Sequence, residues 1–415
     1  MKNEKLFTRN FTFLVLGQVS SLFGNYILKF ALSMYVLELT GSASIFAGLL
    51  AAATLPTILL SPLGGILADR ANRRNIMVTL DFLSGFAVLC AVLLFSEQNA
   101  IWIIGALLIA LSVLGAFESP TVQACVPQMH TGDNIVRANA VVNQVAAIAA
   151  LIAPILGGIL YAAFGLERIM PVSVACFFLT AVFECFIRLE YTKYTGNDGI
   201  LRIIKSDFLT SMRFIFKEQT NILWVLLLAA AANFLLVGII SIGLPFIIRT
   251  VLGLSAAHYG TAQSVLGLSV IIGSISVSFL AIRLKTSKLY WSFIVVGTAL
   301  ISAGVVFLLP VGAMVKYIIV VLSAFVLQFA ACIFSIFALS IIQQKTPNEL
   351  IGKIMAYVAT ITMCAQPLGQ MVYGVLFDNF SDSLYLILIL TGLITCIIGI
   401  SSKRTFSNLD NQRVI

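Results

Sequence analysis

The chain has 415 residues, of which 60% are hydrophobic and only 10% charged, and its formal net charge is +8. Its mean hydropathy of +1.05 lies far outside the soluble range, where apolar residues approach half of the chain and charged ones about a quarter. These figures exclude a water-soluble globule. The cationic excess sits between apolar runs instead of forming a patch, which argues against a nucleic-acid binder.

A bilayer's hydrocarbon core is about 30 Å thick and takes about 20 apolar residues per helical span. The long Leu-, Ile-, Ala- and Phe-rich runs suit helices, not the weakly alternating strands of a membrane barrel. Lys2, Lys5 and Arg9 precede a first run that continues past Leu32 without a cleavage-site pattern, so it reads as a retained span and not a signal peptide. Apolar runs between charged or turn-forming breaks predict spans at 11–38, 44–67, 75–95, 100–122, 138–162 and 169–188 in the first half. The second half supplies 220–249, 257–282, 289–310, 316–342, 354–377 and 383–402. The expected fold is thus an all-α polytopic membrane protein with twelve transmembrane helices in two six-helix bundles.

Of the 25 Lys and Arg residues, all but Lys29, Arg168, Arg249 and Lys316 fall in segments on the N-terminal side of the bilayer. By the positive-inside rule that side is cytoplasmic, which puts both termini inside and the protein in the cell's plasma membrane. The longest polar break, 189–219, contains an amphipathic run from Ile203 to Phe216 among Arg202, Lys205, Arg213 and Lys217. It predicts a helix on the inner membrane surface. The expected organisation is a bundle over 1–188, a cytoplasmic linker over 189–219, and a bundle with a short cytoplasmic tail over 220–415.

The halves resemble each other weakly. Val126-Pro127 leads through Arg137 to Ala140 before the fifth span, as Thr346-Pro347 leads through Gly352-Lys353 to Ala356 before the eleventh. Each following span carries a proline with glycines beyond it, Pro154 with Gly157 and Gly158, and Pro367 with Gly369 and Gly374. Parallel repeats of this kind build many secondary transporters.

The chemistry of an enzyme is missing from the pattern. Seven scattered cysteines form no Cys-x-x-Cys pair, only His130 and His258 represent histidine, and no phosphate-cradling Gly-Lys-Ser/Thr loop occurs. No cofactor, metal or nucleic-acid partner is expected, and the cysteines read as small buried hydrophobes. The expected partners are a small-molecule substrate, protons and the lipid bilayer, with the chain acting as a monomer.

The polar residues that remain fall into sets. "GGILADRANRR", from Gly64 to Arg74, concentrates charge where the second span ends. There Gly64-Gly65 allow close helix approach, and Asn72 stands where a left-handed turn residue is wanted. The pattern resembles the signature loop of the major facilitator superfamily, Gly-x-Leu-Ala-Asp-Arg-x-Gly-Arg-Arg/Lys. It is matched by Gly65, Leu67, Ala68, Asp69, Arg70, Arg73 and Arg74, with Asn72 in place of the second glycine. The resemblance implies a conformational latch in which the loop docks span two onto span eleven, with Asp69 favoured by the positive end of that helix's dipole. Charge asymmetry alone explains the arginines but not Asp69 or Gly65.

The fifth span, "AVVNQVAAIAALIAPILGGILY", resembles the antiporter motif of drug-exporting facilitators through Pro154, Gly157 and Gly158. Ala140, Ala149 and Ala153 stand at its earlier glycine positions, keeping close helix approach without glycine's flexibility. Simple small-residue packing is the alternative.

In the first span Gln18, Ser21, Asn25 and Lys29 share one helical stripe. Polar groups in hydrocarbon are costly and normally face a bundle interior or a wet cavity, so the stripe should line the substrate or proton cavity, unless Lys29 merely snorkels. Glu118 in "GAFESP" is a candidate proton-coupling group or an interfacial partner of a loop arginine. The family's usual fourth-span arginine is Leu111 here, which departs from the standard coupling scheme. Asp81 is expected to brace the Arg70–Arg74 loop, and Glu184 to pair with Arg188 one turn on. Asn233, Gln263, Gln328 and Gln366 are the second half's cavity candidates.

Together "GNYILKFALSMYVLELTGSAS", the Gly65 loop, "GAFESPTVQACVP", "SDFLTSMRFIFKEQTNILWV" and "QQKTPNELIGKIMA" resemble the macrolide-efflux and enterobactin-exporter branch of the facilitators. The resemblance implies export of a hydrophobic or amphipathic small molecule in exchange for protons, by alternating access. The alternatives are an importer or proton-independent facilitator on the same fold, and a non-transporting membrane sensor or scaffold, against which the repeat and the cavity stripe argue.

Overall fold

The computed structural model describes residues 6–130, 133–189, 220–280, 286–346 and 351–411. The amphipathic run 203–216 lies outside them. The described residues are helical from end to end. In chain order they form α1 (Arg9–Thr40), α2 (Ala43–Arg70), α3 (Arg73–Leu94), α4 (Ala100–Met129) and α5 (Asp133–Cys185). Then come α6 (Thr220–Ala232), α7 (Ala256–Leu280), α8 (Tyr290–Val305), α9 (Ala313–Lys345), α10 (Ile351–Asn379) and α11 (Leu384–Asn411).

Ten stretches among these are long and apolar enough to cross a membrane. One of them, within α5, is two spans joined at Gly165, whose φ of 70° breaks the helix in a conformation only glycine adopts freely. Counting α5 twice and adding α10 gives the twelve passes of an all-α polytopic protein. The outer surface fits this reading, since Trp102, Leu93 and Leu59 are 82%, 75% and 70% exposed, a cost in water that lipid removes.

Helix ends follow local chemistry. The hydroxyl of Thr8 accepts from the Phe11 amide to start α1, and Gly41, at φ 59°, ends it in the left-handed region. Asn72 is not the left-handed turn residue its position suggested. It sits at φ −69°, ψ 110° and caps α3, its side chain accepting from the Asn75 amide. The reason is that α2 continues to Arg70 and α3 begins at Arg73, so the two-residue junction needs an N-cap more than a left-handed turn. Likewise α4 does not stop near 122 but runs to Met129 through Pro120 and Pro127. Prolines persist inside membrane helices because packed neighbours satisfy the carbonyls they free.

The helices group into two units. The first contains the described residues of Met1–Gly41, Leu49–Gly196 and Leu254–Ser264, and the second those of Ser42–Gly48, Asn197–Gly253 and Val265–Ile415. In the first, Phe11, Leu14, Met77, Val122, Cys125 and Ile187 form a buried cluster that ties α1, α3 and α4 to the end of α5. In the second, Ile222, Val225, Phe293, Phe334, Ile342, Val358 and Phe406 do the same for α6, α8, α9, α10 and α11.

Glycines mark where backbones touch. A Cβ on Gly64 would collide with the carbonyl of Ala116, the carbonyl that Pro120 deprives of its helical donor. Gly65, by contrast, has open space around it. In the second unit Gly369 of α10 lies against the backbone of Phe234 in the same way.

Candidate functional site

The interior of the first unit is charged. Asp81 on α3 and Glu184 near the end of α5 are 0% and 1% exposed, and Glu184 lies against Gly17 of α1. Ser21 on α1 places its hydroxyl 3.1 Å from Asp81 Oδ1 and 3.3 Å from Glu118 Oε1 on α4. Its single hydrogen can be donated to either carboxylate. Lys29 stands two turns further along α1.

Two expectations give way here. Asp81 does not brace the Arg70–Arg74 loop but points into the unit toward Ser21. Glu184 is not set beside Arg188 by helical spacing, because α5 ends at Cys185. Of the α1 stripe, Gln18 and Ser21 are buried, and Asn25 Oδ1 is a buried acceptor without a partner.

The second unit holds a different interior. A cavity of about 480 Å³ is lined by apolar side chains, with Asn233 on α6's continuation and Gln328 on α9 as its amides and Ser335 and Thr362 as its hydroxyls. Two of the residues singled out by sequence are thus brought together. From Asn233 onward the helix is π-helical, at Asn233–Val237, Ile239–Gly243 and Ile247–Val251. Such wider turns are frequent at functional positions. Asn233 Nδ2 donates to the Ala229 carbonyl at 3.0 Å. Gln263 is instead engaged with the Tyr259 hydroxyl. Among the described residues, none of the side chains lining this cavity is charged.

The signature-loop residues are structurally anchored. Arg73 donates through Nε to the Ala68 carbonyl at 2.8 Å and through Nη1 to that of Ala124 at 2.7 Å, while Arg74 Nη2 donates to the Cys185 carbonyl at 2.6 Å. These bonds fasten the α2–α3 junction to α4 and α5. The side chain of Asp69 lies outside the described residues. In the antiporter-like stretch, Ala149 and Ala153 are fully buried and Ala140 is exposed. A Cβ on Gly157 would press on the Phe30 ring at 3.1 Å, and one on Gly158 on the Ala256 carbonyl at 2.8 Å. Ser264 of α7 donates to the Leu151 carbonyl at 2.7 Å. Pro154 and Gly158 therefore sit where α5 meets the start of α7, and Gly157 where it meets α1, within the first unit.

Sequence reasoning passed over Asp378. Its Oδ1 accepts from the Ala43 amide at 2.6 Å, and its Oδ2 from the Ser44 amide at 2.9 Å and the Ser42 hydroxyl at 2.6 Å. Its partners are the free donors at the start of α2, a position that favours a carboxylate. Partial burial pushes its pKa up, but these hydrogen bonds outweigh that and hold it below the ordinary carboxylate value. No local pattern signals a cap supplied from 335 residues away.

Twelve helical passes, a lipophilic cavity and a buried polar network fit a polytopic membrane transporter. The Major Facilitator Superfamily model matches residues 14–370, and the chain belongs to that family. Its relatives include macrolide efflux protein A of Streptococcus pyogenes, 22% identical over 385 residues and covering 92% of each chain. They also include the uncharacterized MFS-type transporter YfiS of Bacillus subtilis, 24% identical over 392 residues with 92% of each covered. Among solved structures, a peptide transporter POT superposes with a TM-score of 0.75 at 14% identity, covering 97% of this chain and 95% of that one. A bacterial homologue of the lysosomal transporter Spinster does so with a TM-score of 0.73 at 15% identity, covering 97% and 98%. These likenesses establish the facilitator fold and a multi-pass membrane protein that handles a small-molecule substrate.

Proposed function

We propose that this transporter exports a hydrophobic or amphipathic small molecule, macrolide-like or siderophore-like, across the plasma membrane in exchange for protons, by alternating access. The observation that carries the reading is the second unit's cavity. Its volume of about 480 Å³ suits a drug-sized apolar molecule, since ligand sites run from about 300 to 1,000 Å³ with few polar groups. Asn233 and Gln328 would orient such a cargo through hydrogen bonds without requiring it to be charged. The similarity to a macrolide efflux protein over 92% of the chain supports the substrate class and the outward direction.

Coupling to protons rests on Glu118, Lys29 and the polar stripe of Gln18, Ser21 and Asn25. Glu118 takes up a proton in one access state and yields it in the other. Gly65, Asp69, Arg70, Arg73 and Arg74 act as the latch that holds one state, with both termini on the cytoplasmic side. Ala140, Ala149, Ala153, Pro154, Gly157 and Gly158 form the close-packed, bent segment that limits proton leak.

Inside-out vesicles test the proposal with radiolabelled erythromycin and a catecholate siderophore as probes. Uptake should rise when an inwardly acidic gradient is imposed and fall to background with a protonophore. Uptake indifferent to the gradient would remove antiport. Accumulation only in right-side-out vesicles would reverse the direction.

A further inference from the structure

We propose that Asp81 and Glu184 hold a proton between them, and that the Ser21 hydroxyl connects this pair to Glu118. The inference rests on the proton-antiport reading and adds to it the residues that store the proton.

The two side chains come from different helices, α3 and α5, and are sealed from solvent at 0% and 1% exposure. Both face α1 one turn apart, Asp81 accepting from Ser21 and Glu184 lying against Gly17, and Asp81 Oδ2 and Glu184 Oε2 have no donor. Two bare carboxylates cannot rest this way. Two unit charges about 4 Å apart repel by about 4 kcal/mol even at an effective dielectric of about 20, and unpartnered buried acceptors add to the cost. One proton removes both penalties, because it makes a charge-assisted O–H···O bond between them and supplies the missing donor. Like charges in one site drive the first proton onto the pair for the same reason in carboxylate dyads generally.

The surroundings favour a proton over other occupants. The charges acting on Asp81 are those of Glu118 on α4 and Glu184 on α5, both acidic. On α1, Tyr26 and Lys29 follow Ser21, whose hydroxyl contacts Glu118. On α3 itself, Arg73 acts on the Cys125 thiol of α4 and Arg74 donates to the Cys185 carbonyl. Among the described residues no group of three His, Cys, Asp or Glu has metal-binding geometry.

Ser21 makes the pair addressable. A proton on the Glu118 carboxyl passes to Ser21 Oγ as the hydroxyl's own proton passes to Asp81 Oδ1. Glu118 is left a carboxylate, Asp81 becomes the acid, and Ser21 recovers its starting state when its O–H rotates back. Both hydrogen-bond distances, 3.1 and 3.3 Å, permit this hand-over.

Infrared titration of the full-length protein in lipid nanodiscs tests the pair without needing a cargo. The wild type should show a protonated-carboxyl stretch that persists at neutral pH. The band should vanish in Asp81→Asn and in Glu184→Gln, near-isosteric changes whose amides can still donate to the partner, and remain in Glu118→Gln. Absence of the band in the wild type, or its survival in both dyad variants, would overturn the inference even if vesicle uptake follows the gradient. The converse result, the expected bands with gradient-independent uptake, would leave the proton pair standing while antiport fails. Ser21→Ala should keep the band but slow gradient-driven erythromycin uptake; uptake at the wild-type rate would remove the relay.

Discussion

The two units share a fold and differ in what they bury. The first seals Asp81 and Glu184 inside and sets Glu118 beside Ser21. The second surrounds a cavity of about 480 Å³ with apolar side chains, two amides and two hydroxyls. A proton site needs carboxyl groups close together in a low dielectric, so that one proton changes the energy by kilocalories. A site for a lipophilic cargo needs the opposite, because a buried charge would hold water or counter-ions in place of the cargo. On the proposed reading, two units allow these demands to be met separately.

The sharpest way to break this division is to remove charge from one unit or add it to the other. Glu118→Gln keeps the shape and the hydrogen bond from Ser21 but cannot ionise. Gradient-driven erythromycin uptake should fall to the level of de-energised vesicles, while equilibrium binding stays near wild type. Retained gradient dependence would show that Glu118 only pairs at an interface. The reciprocal change, Gln328→Glu, places a carboxylate in the neutral cavity. An uncompensated buried charge costs about 3–5 kcal/mol, so binding of an uncharged lipophilic probe should weaken strongly at high pH and recover as the new acid protonates. A pH-independent loss would mean that the side chain blocks the cavity by shape alone.

Packing should not respect the division. Gly64 meets the Ala116 carbonyl in the first unit and Gly369 meets the Phe234 backbone in the second. Gly64→Ala and Gly369→Ala should each lower stability by about 1–3 kcal/mol, the usual cost of overpacking, read as a drop in thermal midpoint in detergent. Gly65→Ala, with nothing within 4 Å of the added carbon, should leave the midpoint unchanged. A slowed transport cycle in that variant would then report on switching and not on folding.

Much of this was legible from residues alone. The apolar runs give the helices, and polar residues inside them mark Asn233 and Gln328, which the fold brings to one cavity. What failed has a common cause: sequence spacing reports only neighbours on the same helix. Asp81 read as a partner for the nearby arginines, and Glu184 for Arg188, but their partners lie on other helices, 60 residues away for Asp81 and Ser21. Asn72 was misread for a related reason. The sequence does not say that α2 persists to Arg70, so a capping residue looked like a turn residue.

Asp378 is the mildest test, because it concerns one helix end within the second unit. Its carboxylate accepts from the Ala43 and Ser44 amides and the Ser42 hydroxyl, and those bonds hold its pKa down against the opposing effect of burial. A depressed pKa means that the folded state binds its proton less readily than the unfolded chain does. The stabilisation is therefore complete above the ordinary aspartate pKa and is lost as pH falls through the lower folded value. Amide exchange at Ala43 and Ser44 should accelerate over that acidic window, beyond the change at the start of α1, where Thr8 caps with a hydroxyl that does not titrate. Asp378→Asn should abolish the difference, since an amide oxygen keeps one acceptor but has no proton to gain. Equal acid sensitivity at both helix starts would show that Asp378 is dispensable to the cap, and that the Ser42 hydroxyl, which also accepts from the Ile45 amide at 3.2 Å, holds the first turn of α2 unaided.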